Sequence, residues 1–176
     1  MKEKYTLIVA VILLGLVIYY SFFEHHDSSE DRGEKIGPPV FALRPGEVKK
    51  IEINTLNGGE MVGEWKERRW SLLKGNGVGN WEARIDDFIV NLLMLVEIEK
   101  FRVENTQLKN FGLENPRLQI TLTDITDKTY QIFIGDTNPG RTSVYIRRAE
   151  SPQVIIVGAI LNYELQKIAP LLSSAS

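Results

Sequence analysis

The chain begins with a long apolar run, and this run constrains what the chain can become more than any other feature. Residues 5–23 read YTLIVAVILLGLVIYYSFF and contain no charged side chain. A bilayer core about 30 Å thick takes roughly 20 helical residues, whereas a cleaved signal peptide has about 7 to 15 apolar residues followed by small ones. This run ends in bulky aromatics, which are typical of a membrane interface. We therefore predict that residues 1–23 hold a cytoplasmic stub and a retained transmembrane anchor helix, with membrane contacts at Tyr5, Leu14, Gly15, Tyr19, Tyr20 and Phe23.

The charges beside the run predict its orientation. Lys2 and Lys4 precede it, whereas the other flank opens with acidic residues before Arg32 and Lys35 appear. Lysine and arginine close to a membrane span tend to remain in the cytoplasm. We therefore expect a single-pass protein with a cytoplasmic N-terminus and its remaining chain outside the cytoplasm.

The next segment has the composition of a flexible linker. Residues 24–39, EHHDSSEDRGEKIGPP, are charged, poor in apolar side chains and closed by two prolines, so they bury too little surface to fold alone. His25 and His26 lie here, and the chain offers no cysteine and no third histidine to complete a zinc site with them. The sequence thus predicts solvated histidines in a linker, followed by one domain over residues 40–176.

The first half of that domain changes from a strand period to a helix period. The segment VKKIEINTL alternates, and the Asn57-Gly58 pair after it favours a tight hairpin. Two more short strands are predicted to turn near Glu67, and Asn80 is predicted to cap a helix. The apolar face of that helix repeats every three or four residues, at Ile85, Phe88, Ile89, Leu92, Leu93 and Val96.

The second half repeats the same order. LQITLTD and YQIFIGD alternate as a hairpin, and SVYIRR and QVIIV predict two further strands. A final helix follows, which Pro170 should end or kink at Ala169, and its apolar residues are Leu161, Leu165, Ile168 and Leu172. Two strand-meander-plus-helix units, 41–105 and 111–172, suggest an internal duplication. The predicted class, α+β with a mainly antiparallel sheet and helices on one face, does not depend on it.

The residues that carry chemistry in enzymes are poorly arranged here. Residues 75–79 form a glycine-rich loop without the spacing of a dinucleotide site. Asp86 and Asp87 are adjacent on the predicted helix and diverge, and other aspartates fall at turns, where local backbone bonds favour them: Asp124, Asp127 and Asp136. We expect no catalytic residue, cofactor or metal. The net charge of −2 and scattered basic residues also argue against nucleic acid as a partner.

Aromatic residues are the remaining candidates for partner contact, namely Trp65, Trp70, Trp81 and Tyr145. Packing into the core is the usual role of an aromatic residue in a strand. An exposed platform for a sugar ring or a partner's side chain is the alternative. Both interpretations stay open at this point.

Several phrases resemble a bacterial family of unknown function, the domain of unknown function 4340. They are Phe111-Gly112-Leu113-Glu114-Asn115-Pro116 with its following strand, Ile134-Gly135-Asp136, and Val144-Tyr145-Ile146-Arg147. With the Trp70-Ser71-Leu72 strand and the helix near Arg84, the resemblance covers roughly residues 41–172. It implies a protein anchored in the bacterial inner membrane with a periplasmic or extracellular domain, often associated with ABC transporters of the gliding-motility type. It brings no catalytic motif.

Two functions remain as expectations. The first is a non-catalytic accessory or scaffolding subunit of a membrane protein complex, in contact with the lipid bilayer and with an integral membrane partner. The second is a tethered module that binds cell-wall glycan or a peptide.

Overall fold

A computed structural model describes Leu13 and residues 37–173 of the chain. The strands are β1 (Val48–Thr55), β2 (Glu60–Lys66), β3 (Arg69–Lys74), β4 (Glu99–Arg102), β5 (Leu118–Asp124), β6 (Thr129–Thr137), β7 (Ser143–Arg148) and β8 (Gln153–Gly158). Within residues 37–173, the α-helices are α1 (Trp81–Leu93) and α2 (Ile160–Ile168), with 3₁₀ segments at Pro45–Glu47, Asn105–Phe111 and Ala169–Leu171.

All eight strands form one antiparallel sheet, in the order β3-β2-β1-β5-β6-β7-β8-β4. The first strands of the two predicted units, β1 and β5, pair at its middle. Ile51 lies opposite Leu122 and Ile53 opposite Ile120, and all four side chains are fully buried. Each such burial stabilises the fold by about 1.5–3 kcal/mol. The sequence prediction of an antiparallel α+β domain is confirmed.

Both helices share one hydrophobic core with the inward side chains of the strands. α1 buries Ile85, Phe88, Ile89, Leu92 and Leu93, and α2 buries Leu161 and Ile168. The alternate side chains of the strands point to the opposite face, which no α-helix among the described residues covers. The sheet therefore has one closed and one open face.

The hairpin turns use the residues that the sequence indicated. Gly58 has φ 82°, a left-handed value that costs glycine nothing. Glu67 and Arg68 join β2 to β3 with φ of 52° and 65°. Two consecutive positive φ values match the twist of paired strands, as in a type I′ turn.

The structure agrees with one detail of the first helix prediction in part and contradicts another. Asn80 is the N-cap residue of α1, as predicted, but its side chain forms no capping hydrogen bond. Val96 lies beyond the end of the helix and instead forms an isolated antiparallel bridge with Pro39. The end of α2 is as predicted, because the α-helix stops at Ile168 and Pro170 lies in the following 3₁₀ turn.

The segment after each helix crosses to the other half of the sheet. β4 follows α1 but pairs with β8 at the far edge. Ser173 follows α2 and exchanges backbone hydrogen bonds with Glu60 at the start of β2. β4 was not predicted from the sequence, and its pairing with β8 makes the two halves interdependent.

The described domain begins before residue 40. The Val40 amide donates to the Leu95 carbonyl, and the Glu97 amide donates to the Pro38 carbonyl. Arg148 donates to the Val40 carbonyl and pairs with the buried carboxylate of Glu97 at 2.7 Å. Residues 37–39, assigned to the linker from their composition, are thus part of the folded domain.

Apart from Leu13, the predicted anchor lies outside the described residues, and so do its membrane-contact residues Tyr5, Leu14, Gly15, Tyr19, Tyr20 and Phe23. Within residues 37–173, no helix is long and apolar enough to cross a membrane.

Candidate functional site

Trp65 and Trp70, two of the predicted contact residues, are directly opposite each other on β2 and β3. Trp70 is buried beneath α1, and its Nε1 donates to Oδ1 of Asp86 at 3.1 Å. Trp65 is 42% exposed and meets the Trp70 ring edge-to-face, with centroids 5.5 Å apart. Trp70 is a core residue, so the prediction of partner contact is corrected at that position. Trp65 therefore has an exposed ring that packs against the fixed ring of Trp70.

Trp65 also lies near a free edge of the sheet. β3 is the terminal strand, so one side of its backbone has no strand partner among the described residues. The side chains around that edge are partly basic, with Arg68, Arg69 and Lys74 exposed. Large exposed aromatics and arginines are typical centres of binding energy in protein interfaces.

Trp81 and Tyr145 are less available for partner contact. Trp81 opens α1 and packs partly buried against the hydrophobic core. Tyr145 projects from the other face of the sheet, where its ring lies 5.0 Å from the Phe111 ring. Phe111 in turn meets Phe101 of β4 at 5.5 Å. Tyr145 thus belongs to a three-ring cluster that joins the 3₁₀ segment to the sheet.

The phrases that carried the family resemblance pack against one another. Gly112 ends the 3₁₀ segment with φ 66°, and a Cβ there would lie 2.6 Å from the Asp136 carboxylate. A Cβ on Gly135 would lie 2.1 Å from the Phe111 carbonyl oxygen. Leu113, which is fully buried, completes this contact. The two glycine phrases therefore form one close backbone crossing, which gives both a structural role.

The open face of the sheet contains a shallow groove of about 810 Å³. Polar side chains from β1, β5 and β6 line its floor, including Glu52, Gln119, Thr121 and Gln131. Gln131 donates from Nε2 to Thr121 Oγ1 at 3.2 Å. Tyr130 lies at the margin, but its ring packs against the hydrophobic core on the other face of the sheet. A groove of this kind offers many hydrogen bonds.

A second cavity, of about 410 Å³, lies between α2 and the sheet. Its polar side chains are Arg117, Thr137, Asn162 and Gln166, and its apolar ones are Leu118, Leu165, Ala169 and Leu172. Arg117 is held at the start of β5 by a hydrogen bond from its Nε to the Gly135 carbonyl, at 2.8 Å. Partial burial lowers the pKa of its guanidinium, and the nearby charge of Asp136 opposes this shift.

The turn aspartates serve the fold. Asp124 is buried, and its Oδ1 accepts hydrogen bonds from the Thr126 amide and hydroxyl and from the Lys128 amide. The Thr126 hydroxyl is the largest cause of a lowered pKa for this carboxyl group, and the two amides lower the pKa further. Asp127 is exposed and pairs with Lys49. Across residues 37–173, no three histidine or acidic side chains cluster as a metal site would require.

Sequence reasoning missed both concave sites. The groove is formed by the outward positions of three strands, which in the sequence are only the polar half of an alternating pattern. The Arg117 cavity joins residues 45 positions apart, since Arg117 donates to Asn162 of α2. An arginine between a proline and a strand was visible in NPRL, but no local pattern marks its partner.

Comparison with known proteins identifies a family for this chain but no individual protein. A family described as "Domain of unknown function (DUF4340)" matches residues 70–169, more than half of the 176-residue chain. The match starts at Trp70 and so covers less than the predicted range of 41–172. No curated protein and no solved structure matches the chain. The matched range includes the packed glycine phrases, α1 and most of the sheet, and on this basis the chain belongs to the DUF4340 family.

Proposed function

We propose that this chain is a non-catalytic accessory subunit, anchored in a bacterial inner membrane by residues 5–23, whose α+β domain binds an integral membrane protein complex. An ABC transporter is the class of complex that the family resemblance suggests. The uncharged run and its flanking charges support the anchor and a domain outside the cytoplasm.

The observation that carries the binding role is the exposure of Trp65 beside the free edge of β3. Its ring is supported by Trp70, which is fixed to α1 through Asp86. A preordered aromatic ring loses little conformational entropy when a partner covers it. Trp65 therefore has the properties of a central contact residue.

Site-specific photocrosslinking in native membranes tests this role. A photoreactive phenylalanine at position 65 should crosslink to one integral membrane protein. The matched control is position 163, because Tyr163 is an exposed aromatic residue on α2, away from β3. A discrete product at 65 and none at 163 supports the proposal. Equal labelling at both positions, or none at 65, contradicts it.

The polar groove favours a second candidate, a tethered module for cell-wall glycan. Sugars are bound through many hydrogen bonds to their hydroxyl groups, and Gln119, Thr121 and Gln131 offer these side by side. Titration of the full-length protein with soluble wall fragments should then shift the amide resonances of β5 and β6. The Gln119→Ala variant should weaken this binding, and unchanged spectra on titration would remove the basis for this candidate.

A further inference from the structure

We propose that the cavity between α2 and the sheet binds a short amphipathic carboxylate, with Arg117 holding the acid group and the leucine wall holding the apolar body. This inference is independent of the proposed membrane role. It concerns a surface on the helix side of the domain, and Trp65 does not line the cavity.

The size of the cavity and the separation of its polar from its apolar lining residues point to such a ligand. About 410 Å³ lies within the range of small-molecule sites, roughly 300–1,000 Å³. The apolar lining comes from Leu118 of β5, from Leu165 of α2, and from Ala169 and Leu172 beyond the end of α2. Arg117, Thr137 and Asn162 form a connected polar group. A ligand that is apolar at one end and hydrogen-bonding at the other matches both parts.

Arg117 is positioned before any ligand arrives. Its Nε donates to the Gly135 carbonyl at 2.8 Å, and its Nη2 donates to Oδ1 of Asn162. Asn162 donates from Nδ2 to the Thr137 hydroxyl at 3.0 Å, which fixes the amide. A guanidinium has five N–H donors, so three remain after these two bonds. A planar fork with free donors matches the two oxygens of a carboxylate.

The surrounding charges decide the sign of the ligand. Among the described residues, no carboxylate lies within ion-pair distance of the Arg117 guanidinium, which is partly desolvated. A ligand carboxylate would supply this missing partner. Asp136 is close enough to influence the guanidinium and would repel the same ligand. Removal of the Asp136 charge should therefore tighten binding, which loss of structure cannot imitate.

The test uses the full-length protein in lipid nanodiscs, with hexanoate as the probe and empty nanodiscs as the blank. Amide resonances should shift at residues around the cavity, namely Leu118, Thr137, Asn162 and Leu165. Hexanamide should bind more weakly, and hexylammonium should not bind.

Two variants and a control make the outcome decisive. Arg117→Gln should weaken hexanoate binding at least roughly tenfold, because a charge-assisted hydrogen bond contributes about 1.5–3 kcal/mol. Asp136→Asn should tighten it severalfold. Arg84→Gln removes an exposed arginine on α1 and should leave it unchanged. Absence of shifts with hexanoate, equal binding of hexylammonium, or weaker binding by Asp136→Asn would each overturn the proposal.

Discussion

The two halves of the domain share an order of elements but differ in how their outer strands end. In the first half, β3 is left as a free edge beside the exposed Trp65. In the second half, β8 is covered by β4, which the first half contributes. The 3₁₀ segment Asn105–Phe111 also packs on the second half, through contact of the Phe111 ring with Tyr145. The first half thus ends at its own strand β3, whereas the second half ends at β4, a strand of the first half whose outer side also has no strand partner among the described residues.

The ion pairs of the two halves also differ in how deeply they are buried. Around the edge of the first half, Lys66 pairs with Glu64 and Lys74 with Glu60, and both lysines are well exposed. Such surface pairs contribute about 0–1 kcal/mol each. Beside β4 at the other end of the sheet, Glu97 is 5% exposed and pairs with Arg148 at 2.7 Å and Lys100 at 3.0 Å. Arg148 also holds the incoming chain at Val40.

The largest effect should come from Glu97. Glu97→Ala leaves Arg148 without its buried partner, so we expect the free energy of unfolding in urea to fall by about 3–5 kcal/mol. Glu99→Ala, two residues along at an exposed position of β4, is the control and should change it by less than about 0.5 kcal/mol. Equal small effects of both variants would mean that this cluster does not stabilise the β4 end of the sheet.

An intermediate effect should come from the backbone crossing in the second half. Gly135→Ala places a methyl group where the Phe111 carbonyl already lies, so we expect a loss of about 1–3 kcal/mol in the same measurement. Gly140→Ala has no atom nearer than 3.7 Å to the new carbon and serves as control. A Gly135→Ala protein as stable as the control would contradict the close contact described here.

The smallest effect concerns the stability of the fold at acidic pH. Asp124 supports the β5–β6 turn as a carboxylate, and its pKa is lowered in the fold. Its contribution to the stability of the fold is therefore present above the pKa of the unfolded state, about 3.9. It is lost as the pH falls through the lower pKa of the folded state. Asp124→Asn should flatten the decline in stability below about pH 4, as followed by thermal unfolding. The control is Glu67→Gln, in the exposed turn of the first half, which should show the same decline in stability as the unmodified protein. Equal stability curves for the unmodified protein and both variants would refute the role of Asp124.

The sequence was informative where the pattern is local. Alternation placed β1 and β5, and the helix period placed Ile85 and Phe88 on the buried face of α1. β4 escaped detection because EKFR is only four residues long and forms through pairing with β8, far along the chain. Trp65 and Trp70 could not be separated by pattern, since they are opposite on one face and only one lies beneath α1. The Arg117 cavity depends on tertiary contacts with α2. The internal duplication stays a prediction.

The most direct test of the central claim is to extract the full-length protein from native membranes in mild detergent, separate it by native electrophoresis, and identify by mass spectrometry what migrates with it. The proposed role predicts co-migration with a multi-spanning membrane protein, and loss of that partner in Trp65→Ala but not in Tyr163→Ala. Migration of the unmodified protein as a lone monomer would contradict the accessory-subunit role.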